Sequence, residues 1–245
     1  MGKNKLARWN ELGTFNKVFQ PEIDTVAGRD HPVKGTWHRE VFKNQNPVIL
    51  ELGCGKGEYT IGLATRFPSN NYVGIDIKGA RMWRGAKTAS EQNLQNTAFL
   101  RTRIEFINSF FTGDEVEEIW ITFPDPHPGK RNSNKRLTSP WFLNRYRLFL
   151  KDNGLIRLKT DNTELYEYTR KIALHNNLEL VDDTNDLYGS DVSDDIISIR
   201  THYEKIFLSS GLKICYLSFR LNKDKITEDD ALKTKGNERL LFEGL

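Results

Sequence analysis

The sequence predicts an α/β fold: one mostly parallel sheet of seven strands with helices on both faces. Three observations carry that prediction. Short apolar runs alternate with longer amphipathic ones from residue 48 to residue 221. The strand-like runs are nearly continuous in apolar residues, as in parallel strands buried on both faces. Glycines and carboxylates collect directly after those runs, where open parallel sheets bind their ligands.

The elements follow in order. Residues 1–47 are mixed and basic, hold Pro21, Pro32 and Pro47, and lack sustained periodicity. An irregular N-terminal arm with one short helix is expected there. Val48-Ile49-Leu50-Glu51-Leu52 is the first strand, and helical spacing over 58–67 stops before Pro68. A second strand spans 72–77, a helix 79–93, a third strand 97–100 and a fourth 118–123. Ser139-Pro140 supplies an N-cap and a first-turn proline for a helix reaching about residue 150. A fifth strand at 154–160, a helix at 162–176 and a sixth strand at 178–181 come next. A helix over 195–209 and a last strand over 213–221 complete the domain. Residues 222–245 form a charged tail.

Bulk properties bound the class. The chain has 245 residues, 38% of them hydrophobic, enough for one ordinary core. Its two cysteines, Cys54 and Cys215, are too few and too far apart for a disulfide-stapled secreted chain. No apolar run approaches the roughly 20 residues of a membrane span. The start, Met1-Gly2-Lys3-Asn4-Lys5-Leu6, has no apolar signal core, and Leu6 stands where a myristoylation motif wants Ser or Thr. A reduced, soluble, cytoplasmic protein is expected, as monomer or homodimer. The five histidines, His31, His38, His127, His175 and His202, are scattered, so no metal is expected. A net charge of +3 does not by itself indicate a nucleic-acid partner; clustering of the charge would.

The strand ends carry the chemistry. After the first strand come Gly53, Gly55 and Gly57, whose alternation lets the backbone turn tightly beside a ligand and present the next helix N-terminus. Neither a phosphate loop nor the dinucleotide spacing fits. Glu51, just before these glycines, would repel a pyrophosphate but suits a cationic methionine moiety. Asp76, after the second strand, suits the two ribose hydroxyls of a nucleoside. Together these residues point to S-adenosylmethionine and a Rossmann-like methyltransferase fold. Thr102 and Arg103, after the third strand, fall where a side chain would touch adenine. After the fourth strand, Asp125 is held between Pro124 and Pro126 at the centre of the crevice. The loop continues as His127-Pro128-Gly129-Lys130-Arg131 and ends in Lys135-Arg136. Lys78, Arg81, Arg84 and Lys87 line one helix face. A solvated face is the plain reading of such a stripe, but beside a cofactor crevice these clusters suggest a polyanionic substrate. Trp83 and Trp141 are expected to pack. Asp161 lies at the crevice edge or simply caps the next helix. Thr201-His202-Tyr203-Glu204 reads, unaided, as an amphipathic stretch with a solvent-facing Glu204.

From about residue 46 to residue 220 the chain resembles the bacterial tRNA (guanine-N7-)-methyltransferase family. The Glu51 to Gly57 loop, Phe123-Pro124-Asp125-Pro126 with its basic continuation, Thr160-Asp161-Asn162 and the Thr-x-Tyr-Glu motif at Thr201 to Glu204 carry the resemblance. It implies methyl transfer from S-adenosylmethionine to N7 of a guanine in the tRNA variable loop (position forty-six in standard tRNA numbering). It implies cofactor contacts from Glu51, Gly53, Gly55, Gly57, Asp76, Thr102, Arg103 and Asp125, with Asp125 at the catalytic centre. Gly129, Lys130, Arg131, Arg136, Asp161, Thr201, His202, Tyr203 and Glu204 are implied substrate contacts, Asp161 and Glu204 being candidates to read the guanine edge. The chain departs from the family pattern at Thr102-Arg103, at His127 with the lysine at 130 rather than 129, and at Asn134. Rival readings are a methyltransferase acting on another substrate, an inactive RNA-binding protein on the same fold, and a nucleotide-sugar or NAD-dependent enzyme, which Glu51 and the glycine spacing disfavour.

Overall fold

The computed structural model describes residues 3–192, 195 and 198–227. The chain opens with α1 (Lys3–Leu12), the two-residue strand β1 (Val18–Phe19), the short helix α2 (Ile23–Val26) and one wide helical turn at Trp37–Phe42. Strand–helix alternation then gives β2 (Val48–Leu52), α3 (Glu58–Arg66), β3 (Asn71–Asp76), α4 (Gly79–Glu91), β4 (Thr97–Arg101) and β5 (Val116–Thr122). The last part holds α5 (Pro140–Tyr146), β6 (Leu150–Thr160), α6 (Thr163–His175), β7 (Leu180–Thr184), α7 (His202–Ser209) and β8 (Cys215–Leu221).

The sheet order is β1-β4-β3-β2-β5-β6-β8-β7. Strands β1 to β6 pair in parallel, and β8 runs antiparallel to both β6 and β7. The sheet has eight strands rather than the seven expected. The extra one is β1, whose Val18 and Phe19 pair with Phe99 and Leu100 of β4. The sixth predicted strand falls two residues later, at Leu180–Thr184, where its alternating burial fits an antiparallel edge with one wet face.

Strand periodicity sends alternate residues to the two faces. Leu50, Leu52, Val73, Ile75, Ile119, Ile121, Ile156 and Leu158 join a core covered by Trp37, Phe110, Phe111, α5 and α6. Ile49, Tyr72, Trp120 and Tyr216 point the other way, against Tyr59 and Leu63 of α3. The N-terminal segment packs on this body. The Trp37 indole donates to the Phe110 carbonyl at 2.8 Å, and Glu115 accepts from the backbone N–H groups of Gly35, Trp37 and Thr112. Leu12 of α1 is buried with Cys54, Met82, Ala86 and Phe99. At the other end, Ile226 is buried in the main core and its backbone bonds Asn144 of α5. The remainder of the predicted tail, 228–245, and four residues of the stretch 193–197 lie outside the described residues.

Two helix starts refine the expectation. Ser139 occupies the N-cap of α5, but its hydroxyl donates backward to the Asn134 carbonyl, so Pro140 alone serves the helix start. That helix ends at Tyr146 rather than near 150, since Phe149 turns into the core and β6 begins at Leu150. Asn162 caps α6 by accepting from the Leu165 N–H at 2.8 Å.

Candidate active site

The carboxyl ends of β2, β3, β5 and β6 converge on one edge of the sheet. Gly53, Gly55 and Gly57 all adopt positive φ after β2. A side chain at Gly57 would strike the Phe99 ring at 2.8 Å, so that glycine lets α3 close onto β4. Around Gly53 and Gly55 nothing crowds the backbone, and their open side is a cradle that a Cβ would begin to fill.

Glu51 is the floor of this cradle and is buried. One carboxylate oxygen accepts from the Thr60 N–H at 2.8 Å and from the Thr60 hydroxyl, and the other from the Thr122 hydroxyl at 2.8 Å. Three donors leave about one of the four acceptor positions of a carboxylate free. Burial pushes the acid up to about 7 against those hydrogen bonds, with a further upward push from the Asp76 charge. Asp76 accepts from the Gly55 N–H at 2.9 Å and the Lys78 N–H at 2.7 Å, tying the glycine loop to the start of α4. Thr102 is buried, and its N–H donates to the Asp76 carbonyl at 3.2 Å. Arg103 turns outward into an ion pair with Glu105 at 2.8 Å.

The loop after β5 is strained where it matters. Phe123 and His127 hold left-handed backbone at φ 48° and 44°, and Gly129 at 80°. Asp125 lies between them, exposed, with one oxygen accepting from the His127 N–H at 3.3 Å. The loop's brace is Arg136. Its Nε donates to the Pro126 and His127 carbonyls at 3.2 and 3.3 Å, its plane lies over the Tyr168 ring, and it pairs with Glu164 at 2.7 Å. Arg136 is thus buried and spent inside the protein, which corrects its expected role as a substrate contact. Arg131 and Lys135 remain exposed on the short turn Lys130–Lys135, which Gly129 precedes.

At the end of β6, Asp161 is half-buried and makes no hydrogen bond or ion pair among the described residues, because Asn162 does the capping. Glu204 is not the solvent-facing residue expected. It is fully buried and pairs with the equally buried Lys159 at 2.7 Å. It also accepts from the Tyr188 hydroxyl at 2.6 Å and completes a capping box with Thr201, which is buried too. Of this motif, only His202 and Tyr203 are exposed. The His202 N–H donates to Glu58 at the start of α3, at 2.8 Å. The Phe207 ring meets both Tyr203 and Phe123, so α7 leans on the Asp125 loop. Sequence reading missed Lys159, Tyr188, Thr60 and Thr122. The one available signal was a lysine at the end of a strand buried on both sides.

Lys78, Arg81 and Arg84 of the α4 stripe are exposed, whereas Lys87 is neutralised by Glu11. Trp83 packs as expected, donating to Glu11 beneath Arg8 and Lys87; Trp141 stays partly exposed under the Arg145 guanidinium. Two cavities, of about 230 and 530 Å³, lie by β1 at the amino end of the sheet, away from these carboxylates. Their position carries no chemistry, whereas the strand ends do. Among the described residues no three His, Cys, Asp or Glu side chains could hold a metal, and no helix is long and apolar enough to cross a membrane.

Comparison with known proteins agrees with this fold. Residues 45–217 match the family model described as "Putative methyltransferase". A tRNA (guanine-N(7)-)-methyltransferase of Bacteroides fragilis is 48% identical over 91% of this chain and 88% of its own length. One from Bacteroides thetaiotaomicron is 46% identical over 94% of this chain and 90% of its own. The solved structure of the 16S rRNA methyltransferase KamB superposes with a TM-score of 0.60 at 17% identity, over 81% of this chain and 98% of that one, a likeness of fold.

Proposed function

This chain belongs to the tRNA (guanine-N(7)-)-methyltransferase family, and from that premise we infer that it transfers the methyl group of S-adenosylmethionine to N7 of a guanine in tRNA. The finer target, a variable-loop guanine, and a cytoplasmic site of action are part of the same proposal. The observation that carries it is the convergence of Glu51, Asp76, Asp125 and Asp161 at one sheet edge, on a chain 46–48% identical to enzymes of that name.

S-adenosylmethionine supplies a methyl group on a cationic sulfonium. The open cradle at Gly53 and Gly55 fits close approach of such a ligand, and Glu51 and Asp76 provide negative charge beneath it. Asp76 keeps acceptor capacity for ribose hydroxyls beyond the two backbone donors it already holds.

Guanine N7 carries a lone pair and no proton, so the transfer needs no general base. Rate enhancement then comes from positioning and electrostatics. Asp125, exposed at the tip of a braced loop, orients the base and stabilises the positive charge that the purine ring gains. His127 shapes that loop and moves no proton. Asp161, with its carboxylate uncommitted, reads the guanine N1–H and N2–H₂ donors. Arg131 holds the RNA backbone, with Lys130 proposed alongside it, and His202 and Tyr203 border the base. Glu204, enclosed by Lys159 and Tyr188, takes no direct part in that reading.

The test is methyl transfer from labelled S-adenosylmethionine to unmodified bulk tRNA, with the product base mapped. Wild type should form 7-methylguanosine, and Asp125→Ala should lose about 10²–10³-fold in kcat, the size of losing one aimed electrostatic group. Cofactor binding without label in tRNA would redirect the reading to another methyl acceptor.

A further inference from the structure

Lys159 and Glu204 form an ion pair in which both side chains have no exposed surface. Every other ion pair among the described residues keeps at least one partner in water. Two charges are rarely enclosed without a constraint that needs them, since their desolvation often exceeds their attraction. The surroundings indicate what this pair constrains.

Lys159 is the penultimate residue of β6. Its backbone carbonyl accepts from the Phe123 N–H at 2.8 Å, and Phe123 is the left-handed residue two before Asp125. Its ammonium also reaches the Ile199 carbonyl at 3.3 Å and lies 5.3 Å over the Tyr59 ring of α3. Glu204 sits in the first turn of α7, and Phe207, one turn later, packs on the Phe123 ring at 5.7 Å. The same helix start receives Glu58, the residue after the last glycine of the cofactor loop. One buried pair therefore joins the strand that bonds the base of the Asp125 loop, the helix that packs on Phe123 and the helix that opens the cofactor cradle.

We propose that Lys159 and Glu204 are a positioning pair for methyl transfer. Their ion pair fixes α7 against β6, so that Phe207 holds Phe123 in its strained conformation and Asp125 stays aimed at the base. This rests on the tRNA methyltransferase reading and adds to it a residue, Lys159, and a role for Glu204 other than base contact.

The experiment compares wild type, Glu204→Gln, Lys159→Met and the double variant. It measures kcat per S-adenosylmethionine-binding site, KM for tRNA and the Kd for S-adenosylmethionine. Each single variant strands a buried charge or opens the pair and should lose about tenfold or more in kcat. The double variant, which encloses no charge, should recover most of that loss, with KM for tRNA and the cofactor Kd within about twofold of wild type. If the double variant stays as slow as Glu204→Gln and KM for tRNA rises in both, Glu204 touches substrate and the proposal falls. It falls equally if kcat per binding site is unchanged in all three, because the pair then serves folding alone. Should Glu204→Gln fail to fold, the Lys159→Met and double-variant comparison decides by the same criteria. Absence of 7-methylguanosine from wild type would instead overturn the parent reading, and this inference with it.

Discussion

Glu51 is a buried carboxylate, and under the proposed function its charge answers a cationic ligand. Water is excluded from it, three donors support it, and the balance leaves its acid raised to about 7. Such a group is ionised above that value and neutral below it. Attraction for a sulfonium or ammonium therefore holds above about pH 7 and fades as pH falls through it. The Kd for S-adenosylmethionine should rise between about pH 8 and about pH 6, by up to tenfold per pH unit below the transition, each unit being 1.36 kcal/mol. Glu51→Gln should bind more weakly throughout and show a flatter profile by titration calorimetry; identical profiles would remove Glu51 from the cofactor's charge balance. Residues of this kind stand out in the sequence because their backbone context travels with them. Glu51 precedes three glycines and Asp125 stands between two prolines, so position and chemistry are written side by side. Glu204 was misread because its neighbours His202, Tyr203 and Lys205 are polar and exposed, and only the distant Lys159 and Tyr188 enclose it.

The elements that position these residues divide the same way. The alternation of strands and helices from β2 onward was plain, since buried parallel strands are apolar throughout and their helices are periodic. The cap of α6 is partly legible: Thr160-Asp161-Asn162 marks a helix start and offers both Asp161 and Asn162 as caps, and only the fold selects Asn162, which accepts from the Leu165 N–H. What stayed hidden depends on partners far along the chain. β1 is two residues long and exists because β4 offers an edge. Arg136 looked like a phosphate contact at the end of a basic run, yet it folds back to brace the loop that precedes it. That brace is testable. Arg136→Ala removes the charge-assisted Nε–H shared by the Pro126 and His127 carbonyls and the guanidinium lying over the Tyr168 ring. A hydrogen bond from a charged group contributes about 1.5–3 kcal/mol, so kcat should drop by roughly 10- to 100-fold. Arg136→Lys should rescue little, because an ammonium has no planar guanidinium to lie over the Tyr168 ring while reaching the loop carbonyls and Glu164 at once. The exposed Glu164 partner adds little by comparison, and Glu164→Ala should stay within about threefold of wild type. If Arg136→Ala instead weakened tRNA binding at unchanged kcat, the residue would be a substrate contact after all.

Across the whole molecule, carboxylates follow β2, β3, β5 and β6 along one sheet edge, and exposed cations gather on α4 and on the turn after β5. The α4 stripe starts after β3 and the Arg131–Lys135 turn follows β5, and only β2 separates those strands. Adjacent strands lie about 4.8 Å apart, so the two basic stretches begin roughly 10 Å from each other, with the cofactor cradle between them. A net charge of only +3 over the chain means that this arrangement, rather than total charge, must attract a polyanion. RNA phosphates held at both basic stretches would bring one base against the strand ends, where the proposed function has Asp125 and Asp161 meet it. Each phosphate neutralised should contribute about −0.7 to −0.9 to the slope of log affinity against log salt. Because Arg81 and Arg84 are exposed and unpaired among the described residues, replacing either with Ala should reduce that slope by about one while leaving the Kd for S-adenosylmethionine unchanged. Lys87→Ala should leave the slope as it is, since Glu11 already neutralises that lysine. A slope that ignored Arg81 and Arg84 but responded to Arg131 and Lys135 would confine the RNA to the β5 side of the crevice, and α4 would then be an ordinary solvated helix face.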